Sequence, residues 1–414
     1  MYDKNNKILI INSDFSPSGG AEWIAYKTYR ALKNRGHNTF FFASDRKPYF
    51  EEDYEYIPFF TKFIGSTKEY LKNPFRYYFN TKARKDFENF INKIKPDIIH
   101  LHSFRVTMTS SILEVCKDIP TVMTVHDPGI VCPAATMMYK GQNLCTNKQC
   151  MQGRYIDCLR NRCSNGAFEP SLRKTVRAYI FKNQYQKYID KFITPSNALK
   201  NIIVNASISI KESDIITVPN FLDNNERSTS PNYQNQGYFL YIGRLNKDKN
   251  VISLLKAIKE LPKDIKLHIA GNGSEENTLK DYAKQNNLKN VSFLGFINRE
   301  QAKQEYQNCI ATILPCNWFE IFGMTNIESF LNGKPVIASN IGGIPELVEH
   351  NKTGLLFEPN NIEQLKDCIL EYWNNPELVI EHGRNGYEKV KDNYTEDEYY
   401  NSIISVYEQI ANNT

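Results

Sequence analysis

Residues 310–357 decide the fold, and they read IATILPCNWFEIFGMTNIESFLNGKPVIASNIGGIPELVEHNKTGLLF. The run opens with the apolar residues 310–314, which are typical of a buried strand. A loop then leads into a short helical pattern that ends at Gly333, where glycine suits the left-handed residue that closes a helix. Residues 335–339 predict a second strand, followed by a Gly-Gly loop that places Pro345 in the first turn of another helix. Two strand–loop–helix units in succession predict an α/β protein.

The two helix starts in this stretch offer backbone N–H groups that have no partner within the helix, and such groups suit a phosphate. Glu320 lies in the loop ahead of the first helix, and the pattern places Glu328 in the first turn of that helix. A nucleotide sugar needs this arrangement, because N–H groups bind its phosphates while carboxylates accept hydrogen bonds from its ribose and hexose hydroxyls. Glu328 taken alone also fits a simpler role as a favourable partner of the helix dipole.

The same stretch resembles the retaining glycosyltransferases of family 4, which have the GT-B fold. The resemblance is carried by Glu320-x7-Glu328, then GKPVIAS (333–339) and GGIPELV (342–348), in that order, and it covers nearly the whole chain. It implies an α/β protein with two Rossmann-like parallel-sheet domains facing a cleft, and a C-terminal helix that returns to the N-terminal domain.

Length and composition agree with two domains. The chain has 414 residues, of which 41% are hydrophobic and 23% charged, as in soluble globular proteins. We expect an acceptor domain over 1–200 with a cysteine-rich insertion at about 130–165, and an Asn/Ser/Gln-rich linker region over 201–235. A nucleotide-sugar donor domain is expected over 236–385, followed by C-terminal helices over 386–414.

Charge is distributed unevenly along the chain. Residues 1–199 contain 30 Lys and Arg against 18 Asp and Glu, a net charge of +12, while the remainder has 21 against 28, a net charge of −7. No recognised motif supports nucleic acid as the partner of the basic half. An anionic membrane surface or a lipid-diphosphate acceptor fits better. The sequence has no apolar run of membrane-spanning length and no signal-peptide layout, so we expect a cytoplasmic protein that contacts the inner face of the membrane peripherally.

The basic half contains a segment, residues 57–95, that is rich in lysine and aromatic side chains at helical spacing. It carries nine basic and three acidic residues, which suits a helix lying at a membrane interface. A solvated helix on the domain surface explains the pattern equally well. In either case Pro74 is expected to divide the segment into two helices.

The N-terminus begins with a strand pattern over 7–15, a Gly-containing turn and a helical pattern over 21–35. The absence of G-x-G-x-x-G argues against a dinucleotide. The resemblance places Gly19 and Gly20 of this turn close to the donor diphosphate and the acceptor, although a plain tight turn is the alternative.

Two later strand patterns of the first half, DIIHLHS (97–103) and TVMTVHD (121–127), end in polar residues, and ligands lie beyond such strand ends in parallel sheets. The resemblance implies that His126 faces the donor sugar and its phosphate, while a buried structural histidine is the alternative. For His100 and His102 we expect core packing.

Five cysteines follow within the insertion: Cys132, Cys145, Cys150, Cys158 and Cys163. Cys132-Pro133 completes an H-D-x-x-x-x-C-P motif that resembles a subset of the family with a cysteine-bearing insertion. Two C-x4-C pairs lie at the wide edge of zinc-ligand spacing. A structural metal is therefore one interpretation, and unligated thiols or redox-dependent pairing is the other, since a reducing cytosol disfavours stable disulfides.

In the second half, Gly243-Arg244-Leu245-x-x-x-Lys249 matches a family motif whose Arg and Lys contact the donor diphosphate. Arg suits phosphate oxygens through its fork of donors and Lys through a mobile point charge. The sequence departs from many members at Asn250, where they have Gly. The resemblance makes His126, Glu320, Arg244 and Lys249 the expected catalytic residues. The expected substrate-binding residues are Gly19, Gly20, Ser196, Asn220, Gly243, Phe296, Phe322, Gly323, Met324, Thr325 and Glu328.

The implied activity is transfer of a hexosyl unit from a UDP- or GDP-linked sugar to a hydroxyl of a sugar or lipid-linked acceptor, with retention of configuration. The setting implied is bacterial cell-surface polysaccharide, lipid-linked glycan or glycolipid synthesis. No D-x-D triplet occurs in the chain, so we expect catalysis without a divalent metal or other cofactor. A sugar-nucleotide epimerase, a phosphorylase and a non-catalytic nucleotide-sugar-binding subunit remain as alternatives.

Overall fold

The computed structural model describes residues 3–14, 19–44, 56–59, 73–140, 143–145, 149–227 and 230–411. The chain forms two compact units. The first comprises Met1–Gly141, Cys145–Asp223 and Thr395–Thr414, and the second comprises Gln142–Leu144 and Asn224–Tyr394.

The first unit contains a parallel sheet whose order, within the described residues, is β3-β2-β1-β4-β5-β8-β9. Its strands are Lys7–Asp14 (β1), Asn38–Ser44 (β2), Tyr56–Phe59 (β3), Ile98–Leu101 (β4), Thr121–Thr124 (β5), Lys191–Thr194 (β8) and Ile215–Thr217 (β9). The two-residue strands Met138–Tyr139 (β6) and Asn143–Leu144 (β7) belong to the insertion.

The helices of the first unit are Gly20–Asn34 (α1), Pro74–Tyr78 (α2), Thr81–Ile94 (α3), Ile156–Arg160 (α4), Phe168–Phe181 (α5), Gln184–Tyr188 (α6), Asn197–Val204 (α7) and, from the C-terminal segment, Glu396–Ala411 (α16). Short 3₁₀ turns cover Ser110–Cys116, Pro128–Ile130, Gln149–Gln152 and Glu212–Asp214.

The second unit contains a parallel sheet in the order β12-β11-β10-β13-β14-β15. Its strands are Tyr238–Ile242 (β10), Lys266–Ala270 (β11), Val291–Gly295 (β12), Thr312–Leu314 (β13), Val336–Ser339 (β14) and Gly354–Phe357 (β15). Its helices are Asn224–Arg227 (α8), Val251–Glu260 (α9), Glu276–Gln285 (α10), Arg299–Asn308 (α11), Met324–Leu331 (α12), Ile344–Leu347 (α13), Ile362–Asn374 (α14) and Pro376–Val390 (α15), with a 3₁₀ turn at Lys247–Lys249.

Both sheets reverse their strand order at one point. In the first unit the reversal lies between β1 and β4, and in the second between β10 and β13. Ligands of open parallel sheets bind beyond the carboxyl ends of the strands at such a point. The fold therefore directs attention to the residues that follow these strands.

The unit boundaries differ from the boundaries expected from the sequence. Residues 201–223, expected to begin a linker, belong to the first unit because Ile215–Thr217 pairs with β8 and extends its sheet. Residues 386–394 stay with the second unit as the end of α15 and the segment after it, and the first unit resumes at Thr395.

The C-terminal helix α16 completes the core of the first unit. Its Tyr399, Ile403 and Tyr407 are buried against the sheet and α1. The hydroxyls of Tyr399 and Thr28 are 2.7 Å apart, which fixes the helix on α1 by a buried hydrogen bond.

The segment 57–95 is not helical throughout. Its first described residues belong to β3, and residues 60–72 lie outside the described part of the chain. Pro74 begins α2, where a proline at the first position costs no helical hydrogen bond, and α2 and α3 are separated near Asn80. Among the described residues, no helix is both long enough and apolar enough to cross a membrane.

Candidate active site

In the second unit, the residues after β10 and β13 meet in a buried ion pair. Lys249 Nζ lies 2.6 Å from Glu320 Oε2, and the two side chains are 14% and 12% exposed. Trp318 donates its indole N–H to the same carboxylate oxygen over 3.2 Å, and the Lys249 ammonium lies 5.3 Å from the centre of the Trp318 ring. Two of the four expected catalytic residues are thus in direct contact at the point where the sheet reverses its order.

The pair is charged despite its burial. Burial opposes ionisation of Glu320, but the charge of Lys249 and the hydrogen bonds from Lys249 and Trp318 outweigh it and lower the pKa of the carboxyl group. Burial likewise acts against the Lys249 ammonium, and Glu320 raises its pKa above the ordinary value. Arg244, which follows β10, is exposed and is thus available to an anionic ligand.

Two glycines hold the backbone of Glu320 in place. Gly343 donates its N–H to the Glu320 carbonyl over 2.8 Å. Gly342 has a left-handed φ of 61°, and a Cβ there would lie only 2.0 Å from the Glu320 carbonyl oxygen. The GGIPELV segment thus positions the acidic loop, while the short helix α13 begins just after it with Pro345 in its first turn.

Glu328 lies deeper in its helix than expected. Helix α12 begins at Met324, so Glu328 is its fifth residue and lies in the second turn, not the first. The Tyr306 hydroxyl donates a 2.5 Å hydrogen bond to Glu328 Oε2. Met324 and Thr325 occupy the first two positions, where the N–H groups have no acceptor within the helix. Gly323 precedes them with a left-handed φ of 91°.

The loop after β10 is packed closely by the glycines of the segment Gly271-Asn272-Gly273. A Cβ on Gly271 would lie 1.9 Å from the Gly243 carbonyl oxygen, and one on Gly273 would lie 2.4 Å from the Leu245 carbonyl oxygen. Asn250 takes a left-handed φ of 54°, which asparagine tolerates and which explains why glycine suits this position.

Two predicted aromatic contacts of the second unit have opposite exposures. Phe296 follows β12 and is 77% exposed, so it is free to contact a ligand. Phe322 is buried instead, and its ring packs edge-on against Tyr394 at a centroid distance of 5.9 Å. The side chain of Phe322 therefore supports the loop, because its burial keeps it from a substrate.

In the first unit, His126 belongs to a buried chain of histidines. His102 Nδ1 and His126 Nε2 are 2.8 Å apart, and their rings stack at 5.1 Å. His100 hydrogen-bonds to Tyr407 Oη at 2.8 Å and to Thr124 Oγ1 at 2.7 Å. Burial lowers the pKa of His126 to about 4 and that of His100 to about 3, so both rings are neutral near pH 7.

The hydrogen bond between His102 and His126 fixes the tautomer of both rings. His102 Nε2 is buried and has no hydrogen-bond partner among the described residues. A buried N–H without an acceptor is rarer and costlier than a bare ring nitrogen, so we assign the His102 proton to Nδ1. His102 then donates to His126 Nε2, and His126 carries its own proton on Nδ1. His102, expected to be a packing residue only, thus positions the candidate catalytic histidine.

His126 lines a pocket of about 240 Å³ within the first unit, together with His102, Arg105 and Asp127. Arg105 forms a salt bridge with Asp127, and the Arg105 guanidinium lowers the pKa of that carboxyl group although burial opposes ionisation. Gly129 makes room for this pair, because a Cβ there would lie 2.0 Å from Arg105 Nη1.

The remaining predicted residues of the first unit have mixed placements. Gly19 is the N-cap of α1 and Gly20 its first residue, so both lie at a helix start that follows β1. Ser196 is fully buried and accepts a hydrogen bond from the Leu199 N–H, so it caps α7 and its side chain is not accessible to a substrate. Asn220 is half-buried in the loop after β9.

The cysteines of the insertion converge. Cys132, Cys150, Cys158 and Cys163 pack together around Ala134. Across the described part of the chain, however, no group of three or more His, Cys, Asp or Glu side chains has a geometry that could hold a metal ion. The hydrogen bond from Cys158 lowers the pKa of Cys163 to about 7, while burial raises the pKa of Cys150 to about 12. The structural-metal interpretation is therefore not supported, and all nine cysteines of the chain are free thiols.

The structure also shows contributions that the sequence patterns did not reveal. Trp318 and Tyr306 each donate to one of the two acidic residues, and Arg105 neutralises Asp127. Trp318 lies two residues before Glu320, so proximity in the sequence was a usable signal. For Tyr306 and Arg105 no local signal exists, because their partners are 22 residues away in each case.

The fold and this site define a class: a glycosyltransferase of the GT-B fold that uses a nucleotide sugar. A family model described as Glycosyltransferase Family 4 matches residues 18–226, and one described as Glycosyl transferases group 1 matches residues 223–389. The chain belongs to Glycosyltransferase Family 4. It is therefore a retaining hexosyltransferase of a family whose members act without a metal.

Individual relatives agree with this assignment. The chain is 24% identical over 413 residues to the O-antigen chain mannosyltransferase C of Escherichia coli, covering 97% of this chain and 98% of that protein. The crystal structure of Anabaena HepE in complex with UDP and glucose matches with a TM-score of 0.69 at 18% identity, covering 98% of this chain and 100% of that one. Sucrose-phosphate synthase from Thermosynechococcus elongatus matches with a TM-score of 0.75 at 19% identity, covering 99% and 100%.

Proposed function

We propose that this protein transfers a hexosyl unit from a UDP- or GDP-linked sugar to a hydroxyl of a sugar or lipid-linked acceptor during synthesis of a cell-surface glycan. The observation that carries the proposal is the buried Lys249–Glu320 pair at the switch point of the second sheet, beside the exposed Arg244. The similarity to the O-antigen chain mannosyltransferase C supports the surface-glycan setting.

The charges suit departure of a nucleoside diphosphate. Negative charge builds on the leaving phosphate as the glycosidic bond breaks, and fixed cations stabilise that charge more than they stabilise the bound donor. Arg244 and Lys249 supply the cations, and the N–H groups of Met324 and Thr325 supply neutral donors at the start of α12. Retention then follows a front-face displacement in which the leaving phosphate assists the attacking hydroxyl.

The two acids have different tasks in this proposal. Glu320 contacts the sugar from the loop ahead of α12, and Glu328 contacts the ribose from the second turn of the helix. Tyr306 holds the Glu328 carboxylate by a 2.5 Å hydrogen bond and leaves its other oxygen to a ribose hydroxyl. His126, neutral and protonated on Nδ1, offers a hydrogen-bond donor to the sugar or its phosphate.

Calorimetric titration of UDP and GDP tests this division of tasks. Glu328→Gln should weaken nucleoside diphosphate binding roughly ten- to hundredfold, the value of about 1.5–3 kcal/mol for a hydrogen bond to a charged group. Glu320→Gln should leave that affinity nearly unchanged while lowering turnover, because the diphosphate product has no sugar to bind. Equal losses in both variants would show that the two tasks are wrongly assigned.

Product analysis tests the activity itself. The protein is incubated with UDP- and GDP-sugars, with and without acceptor alcohols, and the products are separated by mass spectrometry. A glycoside that forms only with an acceptor and keeps the donor's anomeric configuration supports the proposal. Lys249→Gln should abolish it, and the exposed Lys247→Gln in the same turn is the matched control. Conversion of the donor without an acceptor would instead indicate an epimerase.

A further inference from the structure

A second, smaller cavity in the first unit has no place in the activity described so far. Its volume is about 20 Å³, and it lies between helix α5 and the segment after His126. Its polar lining comprises Arg105, Tyr155, Lys174, Arg177 and Tyr185. Arg105 also lines the larger pocket that contains His126, so the two cavities share a wall.

The charges of this cavity are not balanced. Arg105 has a carboxylate partner in Asp127. Lys174 donates only to the Ala134 carbonyl, over 3.4 Å, and the Arg177 guanidinium lies 5.2 Å from the centre of the Tyr77 ring. Within the described residues neither Lys174 nor Arg177 forms a salt bridge, so three cations face one carboxylate.

The protein maintains this imbalance at an energetic cost. Burial is the main cause that lowers the pKa of Lys174, and the charge of Arg177 lowers it further. Burial also lowers the pKa of Arg177, with Arg105 contributing in the same direction. Buried cations are ordinarily paired with acids, and a pair left without its acid is strongly destabilising. Such a surplus indicates that an anion binds there.

Size and position restrict the anion. A single water needs about 10–15 Å³ on the measure that gives this cavity 20 Å³, so a compact group such as a phosphoryl group fits and a sugar ring does not. We propose that Lys174, Arg177 and Arg105 bind a phosphate or diphosphate ester of the acceptor, beside the pocket that contains His126. The acceptor assignment rests on the proposed function, but the anion site itself does not.

Calorimetric titration of inorganic pyrophosphate into the full chain tests the site directly. Lys249→Gln is used as the background, so that binding at the donor site of the second unit does not contribute. Lys174→Gln and Arg177→Gln should each weaken pyrophosphate binding at least tenfold in that background. Lys187→Gln, an exposed cation on α6, is the matched control and should change it less than twofold. Equal affinity in all four proteins would overturn the proposal.

Farnesyl diphosphate distinguishes a lipid-linked ester from a free phosphate. Tighter binding than pyrophosphate, lost in the same two variants, assigns the site to a lipid-linked acceptor, while equal binding assigns it to the phosphate group alone. Pyrophosphate binding that persists while glycosyl transfer is never observed would overturn the proposed activity and leave the anion site intact.

Urea unfolding of the unliganded variants separates binding from a structural role. Because the two cations repel each other, Lys174→Gln and Arg177→Gln should unfold at a urea concentration equal to or above that of the parent protein. Added pyrophosphate should raise the midpoint of the parent but not of the variants. Variants that unfold earlier and still bind pyrophosphate with parental affinity would show that the cations serve folding only.

Discussion

Breaking the Lys249–Glu320 pair should reveal how the second unit stores charge. Both side chains are nearly hidden from solvent, so the small value typical of surface ion pairs does not apply. Removing one partner of a buried pair costs about 3–5 kcal/mol, because it leaves an uncompensated charge. The structure allows this range to be narrowed for each partner.

The upper limit is set by the ease with which the remaining group becomes neutral. In Lys249→Met, Glu320 can take up a proton, and from an ordinary pKa of 4.5 this costs about 3.4 kcal/mol at pH 7. In Glu320→Gln, Lys249 can lose a proton, and from an ordinary pKa of 10.5 this costs about 4.8 kcal/mol. Glu320→Gln should therefore be the more destabilising change, and the double variant should recover most of the loss.

The pH dependence has a definite sign. The pKa of Glu320 is lowered on folding, so its contribution to the free energy of unfolding is present above the ordinary value of 4.5 and disappears as the pH falls through the lower folded value. The pKa of Lys249 is raised, so its contribution is complete below 10.5 and disappears as the pH rises through the higher folded value. Between these limits the pair's stabilisation should not vary with pH.

Urea unfolding followed by far-ultraviolet circular dichroism measures these differences. It is applied to the parent protein, both single variants and the double variant at several pH values. In Lys249→Met the penalty should shrink as the pH is lowered, because protonation of Glu320 becomes easier. A double variant as unstable as Glu320→Gln, or single variants within about 1 kcal/mol of the parent, would refute this reasoning.

Three further predictions follow from the geometry. His102→Leu should lower kcat with little change in KM, and ¹⁵N spectra of the ring should show the His126 proton redistributed from Nδ1 to Nε2; an unchanged spectrum would contradict the assigned tautomer. Gly342→Ala should reduce activity strongly because its Cβ meets a backbone oxygen at 2.0 Å, whereas Gly237→Ala shares the left-handed strain, has open space and should retain activity. EDTA should leave turnover unchanged, and Arg244→Ala should lower kcat/KM roughly ten- to hundredfold; strict Mg²⁺ dependence would oppose this.

The sequence was informative wherever spacing along the chain determines position in space. The strand–loop–helix pattern around Glu320 and the motif that ends at Lys249 identified both residues, because each loop directly follows a strand of the same sheet. Nothing in the spacing showed that they pair with each other, since 71 residues separate them. That contact depends on β10 and β13 being neighbours in the sheet.

The errors have physical causes too. Ile215–Thr217 is a strand of only three residues, too short for a periodic pattern, so the first unit was expected to end too early. Ser196 was assigned to substrate because it lies at a helix start, yet serine is also the common N-cap, and burial decides between these roles. The contact of His102 with His126 joins two strands and has no sequence signature.

The arrangement of the first unit has a consequence for biosynthesis. Its last helix, α16, is translated after the whole of the second unit, yet Tyr407 on that helix holds His100 from the opposite end of the chain. On the ribosome the second unit, residues 224–394, can therefore fold before the first unit is complete. The emerging N-terminal sheet must wait with an uncovered apolar face, which is a demand for chaperone protection. The histidine cluster is thus assembled only when synthesis is nearly finished, so that truncated products would lack it.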